Sequence, residues 1–318
     1  MFTLLADYLA YDLLNLVPGS HFGHAVHFFI EDVTKILFLL TVMITIISFF
    51  RSHLKPEKIR EYLEGKPKWM AYIMSVGLGA VTPFCSCSSI PLFIGFVEAG
   101  IPFGVTMAFL ITSPMINEIA IAVLASIIGW KIAVVYVLTG MGVGIIGGLL
   151  MEKLGFAKYV EEYVYNIKMG KNNVVEEKIS GFKERLSYAF EYAKDMLKKI
   201  WLYIVIGIGI GAAIHGFVPQ EFFAKYASAD NLFAVPLAVI LGIPLYSDAT
   251  GVIPIAESLL GKGVPIGTVL AMMMSVVAVS LPEMIILRKV LKPRLIAYFA
   301  TFLLIAFIFV GYLYNAIF

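Results

Sequence analysis

The sequence predicts an all-α polytopic membrane protein made of two inverted-topology repeats, each with three spanning helices and a re-entrant or broken helical hairpin. Three observations carry this expectation. First, the 318-residue chain is 60% hydrophobic and 14% charged, with mean hydropathy +0.90, whereas soluble domains carry about 25% charged residues. Second, the pattern Pro91, Gly100, Pro102, Gly104 recurs 163 residues later as Pro254, Gly263, Pro265, Gly267, and Gly79 and Gly242 extend the match. Paired, broken apolar segments in matching positions of two halves mark transporter binding sites. Third, Lys and Arg fall in short blocks between apolar runs, which is topological information.

The elements follow in chain order. Residues 1–32 form an N-terminal interfacial segment: 2–17 are apolar but carry Asp7 and Asp12 and end at Pro18-Gly19, which reads as an interfacial or capping helix, with a short span as the alternative. The first repeat is 33–151. Val33–Phe50 spans, and a basic loop follows over 51–68. Trp69–Thr82 has only fourteen residues before Pro83, and Ser88–Ala99 is shorter. Phe103–Ile128 and Lys131–Met151 are long enough to span. Residues 152–199 are a Lys/Glu-rich linker. Within it Phe182, Leu186, Phe190, Ala193 and Leu197 have amphipathic helical spacing. The second repeat, 200–318, has spans at Ile200–Phe217, Pro265–Leu287 and Leu295–Phe318, with short segments Leu232–Leu245 and Thr250–Leu260.

Orientation follows from the basic loops. The loops 51–68, 152–199 and 288–294 are basic and expected inside. The turn 129–131 and the loop 218–231 carry one Lys each and are expected outside, with both termini. Lys68 inside and Lys131 outside require an odd number of crossings between them. Either 69–82, 88–99 and 103–128 all cross, or the first two make a hairpin and only the third crosses. Each short piece reaches about 20 Å at 1.5 Å per residue, against a bilayer core of roughly 30 Å, which favours the hairpin. The same count in the second half starts from outside, so the repeats are inverted.

Candidate chemistry lies at the hairpin tips. The first reads Thr82-Pro83-Phe84-Cys85-Ser86-Cys87-Ser88-Ser89-Ile90-Pro91. Prolines remove donors and disfavour helix before them, so Cys85–Cys87 is expected to be extended, with a helix starting near Ser88 and Ser89. Extended backbone puts residues i and i+2 on one face and would make a soft thiolate pair; the bland alternative is a small residue in a tight turn. At the same register the second copy has Asp248 and Thr250, beside Ser247. Glu118 follows Ser113-Pro114 and Asn117, and Glu283 follows Ser280 and Pro282 near the expected inner end of its span. A carboxylate at membrane depth is a functional hypothesis by default, so Asp248, Glu118 and Glu283 are candidate proton-coupling groups; an interfacial anchor is the alternative for Glu283. The glycine series 140–148 and 207–211 reads as close helix packing. It has no preceding strand and no following GKS/T, so it is not a nucleotide loop.

The run Thr82–Phe93, with Gly100-Ile101-Pro102-Phe103-Gly104 and Phe109–Glu118, resembles a large family of predicted permeases whose best-known branch is the ArsP-type organoarsenical efflux permeases. The resemblance implies transport in the inner (plasma) membrane and carries a thiophilic substrate onto Cys85 and Cys87. No third cysteine is present for a three-thiolate site.

The expectation is therefore a secondary transporter, with proton-coupled efflux of an organoarsenical or another thiophilic molecule as its specific form. It binds substrate through Cys85, Ser86, Cys87, Ser88, Ser113, Asn117, Ser247 and Thr250. The alternatives are a membrane thiol-redox protein using the cysteine pair, or a channel-like component of an export complex. No enzyme activity, cofactor or metal is expected. The partners are the bilayer and a small molecule; a homo-oligomer fits too. A net charge of +2 leaves no nucleic-acid footprint, and two cysteines exclude a disulfide framework.

Overall fold

Apolar sequence without water must satisfy its backbone internally, and this chain does so as α-helix. The computed structural model describes residues 2–18, 20–51, 67–82, 86–98, 100–116, 118–161, 182–217, 233–243, 249–279, 283–284, 287–288 and 290–318. The helices are α1 (Phe2–Asp7), continued by a π-helical turn Tyr8–Leu13, α2 (His21–Arg51), α3 (Lys68–Val81), α4 (Ser86–Glu98), α5 (Phe103–Met115), α6 (Glu118–Ile127) and α7 (Trp130–Lys153). A 3-10 turn, Phe156–Tyr159, precedes α8 (Phe182–Phe217), α9 (Ala234–Gly242), α10 (Ala249–Gly261), α11 (Ile266–Ala278) and α12 (Pro293–Ile317). Among the described residues, α7 and α12 are long and apolar enough to cross a membrane.

Several boundaries differ from the sequence expectation. Helix α2 begins at His21, well before Val33, because the Ser20 hydroxyl accepts the Gly23 N–H at 3.0 Å and caps it. The amphipathic stretch of the linker and the span after it are one helix, α8; neither Lys199 nor Ile200 breaks it. The expected span 103–128 is broken. Pro114 lies in the last turn of α5, and Ile116 is extended at φ −111°, ψ 101°.

The chain forms two compact units. One holds Thr41–Lys198 and Ile286–Phe302, the other Met1–Leu40, Lys199–Ile285 and Leu303–Phe318. In the first, α3 and α5 run parallel. The Ser75 hydroxyl donates to the Val105 carbonyl at 2.6 Å, and Gly79, one turn deeper, lies against Phe109, Thr112 and Ser113. Helix α4 runs back against α5: Ser89 meets Ser113, and Phe96 meets Phe109 edge-on at 5.2 Å. Helix α7 is antiparallel to α5. Gly148 abuts Gly104 and Ala108, Gly144 abuts Ala108 and Thr112, and Gly140 abuts Ile116. The Tyr136 hydroxyl reaches the Met115 carbonyl at 2.9 Å. The start of α12 packs in this unit too. Tyr298 stacks on Phe156, and a bridge joins Val160 to Leu291.

The other unit repeats these contacts 163 residues on. Gly242 lies against Met272 and Ser275, as Gly79 does against Phe109 and Thr112. Gly311 abuts Val235, Ala271 and Gly267, as Gly148 abuts Tyr72, Ala108 and Gly104. Asn315 sits over Gly267, as Glu152 sits over Gly104. The turns match as well. Gly100 and Gly263 take φ of 78° and 82°, the left-handed region that favours glycine. Prolines 102 and 265 then open α5 and α11 with similar dihedrals. Here the N-terminal segment folds back on α2, with Asp7 and His27 paired at 2.9 Å and Thr3 on Glu31 at 2.8 Å.

Candidate functional site

Because α3 and α5 are parallel and α4 runs back, the last turns of α3 and the first turns of α4 both lie beside the end of α5, level with Thr112 and Ser113. On α7 that level corresponds to Gly140–Gly144, near the middle of a helix of 24 residues. The start of α4 therefore stands within a turn of the break at Ile116. The N-terminal end of α4 faces this region, and its partial positive charge suits an anion or an electron-rich ligand.

Ser86, Cys87 and Ser88 lie in the first turn of α4. The extended backbone expected for Cys85–Cys87 is thus not found at Ser86 and Cys87; Cys85 lies outside the described residues. The reason is the position of Pro91. As the sixth residue of α4 it costs the helix a single bond, the one to the Cys87 carbonyl, and leaves the first-turn residues free to take helical geometry. Ser113 is 1% exposed and its hydroxyl shares a hydrogen bond of 2.8 Å with that of Ser89, which is fully buried. Asn117 lies outside the described residues, and Glu118 opens α6 immediately after the break.

In the second copy, Thr250 is the second residue of α10; Ser247 and Asp248 lie outside the described residues. Glu283 is fully buried. A carboxyl out of water must be neutral or compensated. Among the described residues no group of three or more His, Cys, Asp or Glu is arranged to hold a metal ion.

Two site residues escaped the sequence reading. Ser89 was legible only as a helix cap. Its spacing to the fully buried Phe93 places it on the buried face of α4. Thr112 is fully buried, and its hydroxyl has no hydrogen-bond partner among the described residues. Nothing in its spacing signals that.

Known proteins share this sequence over most of its length. A family model described as a predicted permease, ArsP_1, matches residues 21–316. The UPF0718 protein MJ0584 of Methanocaldococcus jannaschii is 22% identical over 76% of this chain and 80% of its own length. A Streptococcus mutans protein named as a candidate subunit of a two-component membrane permease complex is 23% identical over 74% of this chain and 78% of its own. The UPF0718 protein YraQ of Escherichia coli is 24% identical over 64% of this chain and 56% of its own. No solved structure matches the chain. A helical chain of this composition, matched from the start of α2 to the end of α12, belongs to the ArsP_1 family of predicted permeases.

Proposed function

We propose that this permease is a secondary transporter whose substrate site lies between the first hairpin tip and the α5–α6 break. The observation that carries the reading is the parallel pairing of α3 with α5, with α4 returning along α5. A helix pair that turns back half-way along a spanning helix is a re-entrant hairpin, and broken helices at mid-depth are where transporters bind substrate. The repeat of the same packing 163 residues on supports a second hairpin, α9–α10. The charge bias of the loops supports its inversion. The Val160–Leu291 bridge supports placing the loops 152–199 and 288–294 on one side, the cytoplasmic one.

In this reading Cys85 and Cys87, with Ser86, Ser88, Ser113 and Asn117, take up a thiophilic small molecule such as a trivalent organoarsenical. Ser247 and Thr250 are the corresponding candidates at the second tip. Asp248, Glu118 and the buried Glu283 exchange protons with the two sides, driving efflux. The test is uptake into inside-out vesicles or proteoliposomes with methylarsenite, phenylarsine oxide, arsenite and a thiol-free control solute. Cys85→Ser and Cys87→Ser should each cut organoarsenical transport at least about tenfold, the scale of losing one ligand bond. Unchanged transport in both leaves the thiols with a packing role.

A second reading is favoured by the Streptococcus relative, whose name places it in a two-component complex. This chain would then need a partner subunit. Transport absent from proteoliposomes of the chain alone, and restored by a co-purifying membrane protein, selects that reading.

A further inference from the structure

We infer that Tyr72, Glu152 and Lys68 form a latch between α3 and α7 at the open end of the first hairpin, which must release to admit substrate from the cytoplasm. The inference rests on the permease reading above. Tyr72 is 2% exposed and lies between two glycines of neighbouring helices. A Cβ on Gly104 would strike its hydroxyl, and one on Gly148 would stand 3.0 Å from its ring. The hydroxyl donates to Glu152 Oε2 at the end of α7. Lys68, at the start of α3, approaches Glu152 Oε1 at 3.5 Å. The hairpin arm α3 is thus tied at its mouth to α7 through one carboxylate.

Two features make this a latch and not a rivet. Glycine faces do not interlock, so Tyr72 can slide off Gly104 and Gly148 once its hydroxyl is freed. The tie also runs out to water: the Lys68 side chain is 84% exposed and that of Glu152 32%, so water can replace each partner as the contact opens. The second copy supplies the contrast. Val235 stands where Tyr72 does, in apolar contact with Gly311. Asn315 stands where Glu152 does, and its amide donates to Thr268 of α11 at 3.1 Å. Packing glycines are kept in both copies, but the side-chain tie from α3 to α7 through Glu152 is not reproduced by Asn315, whose amide turns to Thr268 of α11 instead of to the hairpin arm α9. A contact needed merely for assembly would be copied with the glycines it rests on.

The chain holds two cysteines, both at the first tip, so thiol labelling reports that tip without any substrate. A membrane-impermeant maleimide is applied to inside-out vesicles, then to right-side-out ones. Tyr72→Phe, which keeps the ring, and Glu152→Gln should speed labelling from the cytoplasmic side by roughly ten- to a hundred-fold. That is the shift in an open–closed equilibrium when one hydrogen bond to a charged group is lost. Lys68→Gln cannot disturb a core and should give about a two-fold rise, as expected for a weak exposed pair; it decides the matter if the other two fail to fold. Unchanged cytoplasmic labelling in the folded variants overturns the latch and leaves the permease reading intact. Labelling from the outer side alone, in wild type and variants, instead overturns the hairpin orientation on which both rest.

Discussion

Gly148→Ala tests the packing that positions the hairpin. A Cβ at Gly148 would stand 2.9 Å from Ala108 Cβ and 3.0 Å from Tyr72 Cε1, and closer still to the Gly104 carbonyl. That carbonyl belongs to the first turn of α5 and cannot rotate aside, so α7 must move away from α5. Overpacking of this kind costs about 1–3 kcal/mol, and the backbone clash puts this case at the upper end. Alanine recovers about 1 kcal/mol of helix propensity, leaving a net loss of about 2 kcal/mol. Gly142, on the same helix, has no atom within 4 Å of its Cβ position. Gly142→Ala therefore keeps the propensity gain alone, and the two variants should differ by about 3 kcal/mol. At about 2–4 °C per kcal/mol, thermal unfolding in detergent should separate them by about 6–12 °C. Gly311→Ala should fall between them, since its nearest neighbour is a Val235 methyl at 2.5 Å and the Gly267 carbonyl is 3.2 Å away. If Gly148→Ala is as stable as Gly142→Ala, the close seam between α5 and α7 is not there.

Thr112 and Ser275 occupy matching positions but should respond oppositely. Thr112→Val removes a buried hydroxyl with no hydrogen-bond partner among the described residues and should be neutral or stabilising by up to about 1 kcal/mol. Ser275→Ala loses the 2.7 Å bond to the Val239 carbonyl and should cost about 1 kcal/mol in the same unfolding assay. Glu283→Gln keeps the shape of a fully buried side chain, so it should bind substrate normally and lose turnover driven by an imposed pH gradient. Asp248→Asn should behave alike, and a normal pH dependence in both variants removes their coupling role.

The repeat was legible because its signals are residues whose backbone demands are specific. Gly100 and Gly263 take positive φ, and Pro102 and Pro265 start helices; each requirement survives even where the side chains around it change. The break in 103–128 was only half legible. Membrane helices often tolerate proline because neighbours satisfy the freed carbonyl, so Pro114 by itself did not predict the extended Ile116. The tip was misjudged for a related reason. The rule that proline disfavours helix before it was outweighed at Pro91, and Pro254 sits at the same sixth position of α10. With Cys87 helical, the i, i+2 spacing no longer places the two thiols on one face; any joint ligation has to come from how the chain turns before Ser86. The Ser89–Ser113 pair joins two helices that run antiparallel, and no local spacing encodes such a contact.

What the two copies keep and what they change separates scaffold from chemistry. Gly79, Gly104, Ala108 and Gly148 recur as Gly242, Gly267, Ala271 and Gly311, and make the same approaches in each unit. These positions have no polar group to offer, so their repetition reflects the close contact of three helices and nothing more. The positions able to bind, titrate or tie differ between copies: Cys85 and Asp248, Cys87 and Thr250, Tyr72 and Val235, Glu152 and Asn315. A duplicated scaffold with identical side chains would offer the same chemistry at both of its matching tips. The proposed division of labour, thiols for substrate at one tip and a carboxylate for protons at the other, needs the matching positions to differ. The side chains that could supply that difference are the ones the duplication did not preserve.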